Sequence, residues 1–272
     1  MNNAPESTEL TEPTEPTEPT ECYFAFLDVL GFKDLLDNRQ IITINEYFTF
    51  IGSSLKNAVK KRDINYFVAS DSLCLFVEKN KEKSLFDIVE VIGILQCKLL
   101  KKGILLRGGI SCGEIYSDLN SNVVFGQALV EAYVLESKFS KYPRVILDDK
   151  VFDDKNDDEI LRSFSDGNGF CFVTKKASDF YDYDYFFVDY MSVFFSSDVS
   201  AESCDLLFNK IESSYKKSDI GDKYKWLSFY ALSSGEISLC RQSGFISNDA
   251  SMSDSTINKF KRRCKLIGGF FA

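Results

Sequence analysis

The chain has no histidine. Ser-His-Asp and Cys-His nucleophilic sites are therefore excluded, as is any imidazole general base. Catalysis, if present, falls to carboxylates, Lys, Arg, Tyr or bound cations. A zinc site would have to use Cys and carboxylate ligands alone, and none of the eight cysteines forms a Cys-x-x-Cys pair. Cys74 and Cys171 sit in the apolar runs LCLF and FCFV, the setting of buried free thiols in a reducing compartment. No stretch of about 18 apolar residues occurs, so no membrane-spanning helix is expected. The N-terminus lacks an apolar signal-type segment, and a cytoplasmic location is the expectation. Positive charge is short too: 32 Lys and Arg stand against 41 Asp and Glu, for a net charge of −9. A broad basic face for DNA or RNA is not expected, whereas a small nucleotide with cation-neutralised phosphates is compatible.

What is abundant is apolar and aromatic. Hydrophobic residues make up 44% of 272, with 25 Phe and 13 Tyr, enough for the core of one large domain or somewhat more. Residues 1–21 are different: acidic, Thr/Pro-rich and built on a TEP repeat, they read as a disordered tail. Folding is expected to start at Cys22. CYFAFLDVL suits a central strand, Gly31 punctuates it, and FKDLLD opens a helical pattern. Apolar residues at spacings of three and four predict a helix over 44–61. INYFVASDSLCLFVE reads as a hairpin with an acidic tip, 84–103 as an amphipathic helix, and 104–116 as a glycine-bearing strand. Residues 123–139 start extended and turn helical, and 142–149 are a strand. The order β-α-α-β-β-α-β-α-β predicts an α/β (α+β) fold, a ferredoxin-like sheet with an extra helix. Beyond it, the acidic stretch DDKVFDDKNDDE reads as a loop, 169–176 and 181–191 as strands or a hairpin, and 200–217 and 223–235 as helices. The expected division is a tail over 1–21, a catalytic core over 22–149 and an α/β extension over 150–272 packed on that core.

Four motifs carry possible chemistry. In FLDVLGF, Asp28 ends the first strand beside a helix start, where Leu30, Gly31 and Phe32 have amides available to phosphate oxygens; equally, Asp28 reads as an ordinary N-cap. In ASDSL, Asp71 is at the hairpin tip, either a turn former or a second carboxylate beside Asp28. Two carboxylates that close repel unless a cation neutralises them. In LLRGGISCGEIY, Arg107 lies in an apolar strand and must pair with either a phosphate or a structural carboxylate. FGQALVEAYVLE by itself says only that one helix face is core.

Together, FLDVLGF, SDS, RGGISCG and GQALVEAYVLE resemble, over about 22–149 and in the same order, the motifs of the class III nucleotidyl cyclases. The resemblance implies two divalent cations, Mn²⁺ or Mg²⁺, held by Asp28, Asp71 and the carbonyl of Val29. It implies triphosphate contacts from the amides of 30–32 and from Arg107, and a homodimer with active sites across the interface. The chain also departs from that family. The positions of its two purine-reading residues hold Phe67 and Val123, and those of its helix Asn and Arg hold Val130 and Val134. A narrower similarity, carried by the same strings with YPRVILD, YDYFFVDYM and KYKWLSFY, is to the pyrimidine cyclases of Pycsar anti-phage systems. It implies conversion of UTP or CTP, with UTP favoured, to a cyclic nucleotide read by a separate effector protein.

In that reading Phe67 and Phe125 narrow the base pocket, though both also fit a core, and Tyr66 and Tyr47 are rivals for a base contact. Lys138, Lys141 and Arg144 are candidates to replace the missing transition-state cation. The competing expectation is a catalytically degenerate cyclase-fold module for nucleotide binding or dimerisation.

Overall fold

The computed structural model describes residues 18–33, 41–80, 83–118, 123–165, 171–175, 185–196, 201–214 and 221–245. The repeat-bearing segment before Glu18 and most of FKDLLD lie outside them.

Strand β1 (Thr20–Val29) is central, pairing antiparallel with β3 (Ser72–Glu78) on one side and β4 (Leu106–Asp118) on the other. Strand β2 (Asn65–Ala69) pairs with β3, so the order β2-β3-β1-β4 is that of the expected ferredoxin-like sheet. Helices α1 (Ile41–Lys60) and α2 (Ser84–Leu100) supply its two crossovers. The sheet then continues. β5 (Val123–Gly126) folds back on β4, β6 (Val145–Leu147) runs parallel to β4, and the short β8 (Phe187–Val188) and β7 (Val173–Thr174) extend the far edge. A mixed α/β architecture results.

Strand alternation gives β1 two unlike faces. Tyr23, Ala25, Leu27 and Val29 pack with Leu73, Leu75 and Val77 under α1 and α2, in a core that includes Ile51, Leu55, Ile88 and Ile92. Cys22, Phe24 and Phe26 point the other way, where α3 (Gln127–Val134) contributes Ala128 and Ala132. The small alanines allow close approach. A Cβ at Gly109 would overlap the Leu135 side chain and the Ala132 carbonyl, so glycine is required where α3 crosses β4. A π-turn over Leu135–Phe139 continues α3. A third core gathers Phe187, Trp226, Tyr230 and Phe194 from β8, α5 (Tyr190–Ser196) and α7 (Gly221–Phe245), with Leu207 and Ile211 of α6 (Ala201–Ser214).

The structure corrects three expectations beyond residue 149. The acidic stretch is not all loop: residues 149–152 form a 3₁₀ turn and Asp157–Ser163 form helix α4. The reason is local. Asn156 and Glu159 form a reciprocal capping box, and Asp157, Asp158 and Glu159 meet the positive end of the helix dipole. Of 181–191, residues 181–184 lie outside the described residues, and the remainder is not one continuous strand. After the two residues of β8, Asp189 accepts from the Ser192 amide (3.0 Å) and hydroxyl (2.6 Å), which starts α5. Helix α7 runs to Phe245, ten residues beyond its expected end.

Candidate functional site

The last residue pairs of the central strands set the geometry. Asp28 stands opposite Ser72 on β3 and opposite Arg107 on β4. Asp71 is the residue before Ser72, in the two-residue turn Ser70–Asp71 that closes the β2–β3 hairpin. That turn holds Ser70 at φ 59°, a left-handed conformation unusual for serine. Asp28 and Asp71 are brought together, close enough for the Asp71 carboxylate to act on Asp28. Burial, above all, pushes the Asp28 pKa up from its ordinary value; Arg107 opposes this and Asp71 reinforces it.

Past Asp28 the chain turns at Gly31, with φ 83°. A Cβ there would meet nothing within 4 Å, so glycine is needed for the backbone conformation and not for room. The Leu30 amide donates to the Leu105 carbonyl at 2.9 Å. It is therefore committed to the sheet, a correction to its expected role as a phosphate donor. Gly31 is exposed and Phe32 is buried against the ring of Tyr47 at 6.2 Å. Because Leu30 directs its amide to β4, strand alternation turns the Val29 backbone toward the Asp71 side.

Arg107 lies between two acids. Its Nε donates to Asp28 Oδ2 at 3.0 Å, and its guanidinium approaches Glu136 Oε1 at 2.7 Å. The second contact is an ion pair without hydrogen-bond alignment, since that buried oxygen has no hydrogen-bond partner among the described residues. Arg107 thus pairs with carboxylates, one of its two sequence readings. The Glu136 pKa is raised, first by burial, with Arg107 opposing and Asp28 and Asp71 adding to it. The sequence reading missed Glu136, though a signal was there: it follows buried Ala128 and Ala132 at helical spacing, so it had to lie on the core side of α3.

The base-pocket candidates separate. Phe67 opposes Cys74, shares the face of Asp28, and leans on Phe24 with centroids 6.4 Å apart. Tyr66 points to the opposite face and packs on the α1–α2 core, and Tyr47 is 1% exposed in that core, so neither offers an open ring to a base. Val123 and Phe125 are exposed, but they pair with Asp118 and Tyr116 at the far end of β4. At about 3.3 Å per residue that is roughly 30 Å along the strand from Arg107. They do not join Asp28 within one chain, because the strand runs 13 residues before it folds back. Among the cation candidates, Arg144 is buried beneath the rings of Tyr142 and Phe187, which removes it from a solvent-facing site, while Lys138 and Lys141 are exposed.

The donor set fits a hard divalent cation in part. It offers two adjacent carboxylates and a backbone carbonyl, all oxygen, the chemistry of Mg²⁺ or Mn²⁺. Among the described residues no group of three or more Asp, Glu, Cys or His side chains forms a complete cage, so the remaining ligands would have to come from water and substrate phosphates. Also among the described residues, no helix is long and apolar enough to cross a membrane.

No protein-family model matches the chain, and no curated protein does. Its chain path is similar to that of several solved cyclase domains. A monomeric guanylyl cyclase domain of the RhoGC fusion protein from the aquatic fungus Blastocladiella emersonii overlaps with TM-score 0.49 and 13% identity, over 64% of this chain and 97% of that one. The guanylate cyclase domain of RhGC from Catenaria anguillulae, solved with GTP, gives 0.42 and 13% over 62% and 96%. The adenylyl cyclase CyaB from P. aeruginosa gives 0.38 and 14% over 50% and 80%. Overlaps this partial carry no argument about chemistry, which rests on the carboxylates, the arginine and the Gly31 turn.

Proposed function

We propose that the chain is a nucleotidyl cyclase that closes a pyrimidine nucleoside triphosphate, UTP in preference to CTP, to its 3′,5′-cyclic nucleotide and pyrophosphate. The observation that carries this is the juxtaposition of Asp28 and Asp71 at the strand ends, beside the Gly31 turn and Arg107. Two half-buried carboxylates, of which Asp28 is repelled by Asp71 and met by Arg107, are poised for a cation. Divalent cations bound there would supply neutralisation of the triphosphate and a lowered pKa for the ribose 3′-hydroxyl.

The chain's own groups do the positioning. Asp28, Asp71 and the Val29 carbonyl hold the charge that the phosphates face. The Gly31 and Phe32 amides donate to phosphate oxygens at the mouth of the turn. Arg107, drawn from Asp28 once that carboxylate is engaged elsewhere, pairs with the phosphate that gains charge as the 3′-oxygen bonds to the α-phosphorus and pyrophosphate leaves. The hydroxyl proton passes to solvent, so no histidine is required. Phe67, half-buried on the Asp28 face, is the ring on which a one-ring base would stack in this reading. Val123 and Phe125 would join this pocket only from a second copy of the chain, as a homodimer in this reading. Exposed Val130, Tyr133 and Phe139 on the same side as Phe26 supply an apolar surface for it. A cytoplasmic signal in anti-phage defence, with a separate effector as reader, follows from the similarity to pyrimidine cyclases.

One observation favours the degenerate module instead: Arg107 is already tied to Asp28 and Glu136, and α3 presents Val130 and Val134. Incubation of the pure protein with ATP, GTP, CTP and UTP plus Mn²⁺ separates the two. Cyclic UMP as the main product supports the proposal, cyclic AMP or GMP overturns the pyrimidine assignment, and no cyclic product leaves the module.

A further inference from the structure

Glu136 is 4% exposed, yet among the described residues its Oε1 has no aligned hydrogen-bond donor. A buried carboxylate oxygen left so is a cost carried by this state of the site. Its place is fixed by close packing. A Cβ at Gly109 would overlap Leu135 and stand 3.2 Å from the Glu136 amide nitrogen, so the backbone of the π-turn rests directly on β4. Arg107, two residues before Gly109, is on the same face of that strand, and its Nη2 lies 2.7 Å from the Glu136 oxygen. On its other side the same guanidinium makes an aligned bond, Nε to Asp28 Oδ2 at 3.0 Å. One arginine thus stands between two carboxylates, well directed to one and merely close to the other. A guanidinium is a flat fork of five donors that stays charged, so turning it redistributes its bonds and leaves its charge in place. We propose that Glu136 is a positioning residue: it receives the Arg107 fork when a divalent cation takes Asp28, and so keeps the arginine paired and aimed at the phosphate. This rests on the cation clamp proposed above. Without Glu136, Arg107 has two courses: to stay on Asp28 in competition with the cation, or to lie unpaired beside it.

The test is Mn²⁺ binding to the full chain without nucleotide, by isothermal titration calorimetry, with the Tm of each protein. Glu136→Gln keeps the reach of the side chain and removes its charge; Glu136→Asp keeps the charge and withdraws it by one methylene. Both are expected to weaken Mn²⁺ at least about 10-fold, the effect of a residue that orients a metal site from outside. In an Arg107→Gln background neither should change Mn²⁺ affinity by more than about twofold, because the residue through which Glu136 acts is gone. Normal affinity in Glu136→Asp beside a loss in Glu136→Gln would make Glu136 a plain negative charge, and overturns the inference. So does a lowered Tm with unchanged Mn²⁺ affinity in both variants, the pattern of a structural ion pair. A loss that persists without Arg107 overturns it too. In these three cases the unaltered chain still binds Mn²⁺ and Asp71→Asn does not, so the clamp stands and only the role of Glu136 falls. Absence of Mn²⁺ binding in the unaltered chain overturns the clamp and this inference together.

Discussion

The two faces of the central sheet are unlike. One is sealed by α1 and α2, and its β1 residues Tyr23, Ala25, Leu27 and Val29 touch an apolar core. The other is covered over part of its length by α3 and carries the charges Asp28, Arg107 and Glu136; farther along, the Ser111 hydroxyl lies between Glu131 at 3.0 Å and Asp148 at 3.3 Å, with its one proton for either carboxylate. Around α3 the apolar side chains Val130, Tyr133 and Phe139 stay in solvent. The sealed face serves stability. The open face gives up stability for ionisable groups, and that is where a cation, a nucleotide and a second chain would be received.

The largest effects should divide along that line. Asp28→Asn or Asp71→Asn on the open face should lower turnover on the order of 10³-fold, near 4 kcal/mol of barrier, while the Tm without cation does not fall. Leu27→Ala on the sealed face should do the opposite, costing about 2–5 kcal/mol of stability. Its residual folded fraction should retain normal kcat. Denaturant titration and steady-state kinetics read both. If Asp28→Asn melted as early as Leu27→Ala, the faces would not be separable in this way.

Next in size is assembly. Tyr133→Asp adds a charge to the exposed surface of α3 and gives up one edge contact with Phe26, so its effect on monomer stability should stay within about 1.5 kcal/mol. It should convert a dimer to a monomer by sedimentation and remove activity, since Val123 and Phe125 then have no partner site. An active Tyr133→Asp monomer would place the base pocket within one chain.

Smaller again is a pH effect. Asp28 has a raised pKa in the folded chain, so its contribution to stability is fully present below the ordinary carboxylate range, near pH 4, and is lost as pH rises through the raised value. Asn at that position does not titrate. The Tm difference between Asp28→Asn and the unaltered protein should therefore move in favour of the variant from pH 4 to pH 7, and added Mn²⁺ should reverse it. A difference independent of pH would mean that Arg107 fully offsets the burial of Asp28.

Which of these features the sequence displays depends on how local they are. The strand–Asp28–Gly31 turn and the Ser70–Asp71 hairpin tip are written in consecutive residues, so motif and periodicity reveal them. The sheet order follows from the succession of elements. Arg107's partners do not, because Glu136 arrives from a helix 29 residues later and only the fold sets its distance. The capping box at Asn156 and Glu159 was in plain view, but the surrounding acids suggested a loop. Phe125 illustrates a different limit: its residue type fits a base pocket, and only the length of β4 shows that it lies at the wrong end for its own chain.

The smallest effect is also the most direct measure of how firmly each face is closed. Cys22 and Cys74 lie on the α3 side and Cys112 on the sealed side. Burial raises the first two thiols to about 11 and about 12 and the third to about 11, so all three should resist alkylation at neutral pH. Half-buried Cys171 should react before them. Gly109→Ala pushes directly on Leu135 and Ala132, and so should lift α3 without entering the α1–α2 core. In that variant, peptide mapping after iodoacetamide should show faster labelling of Cys22 and Cys74 and unchanged labelling of Cys112. If all three accelerate together, the sheet opens as one unit, and the independence of its two faces fails.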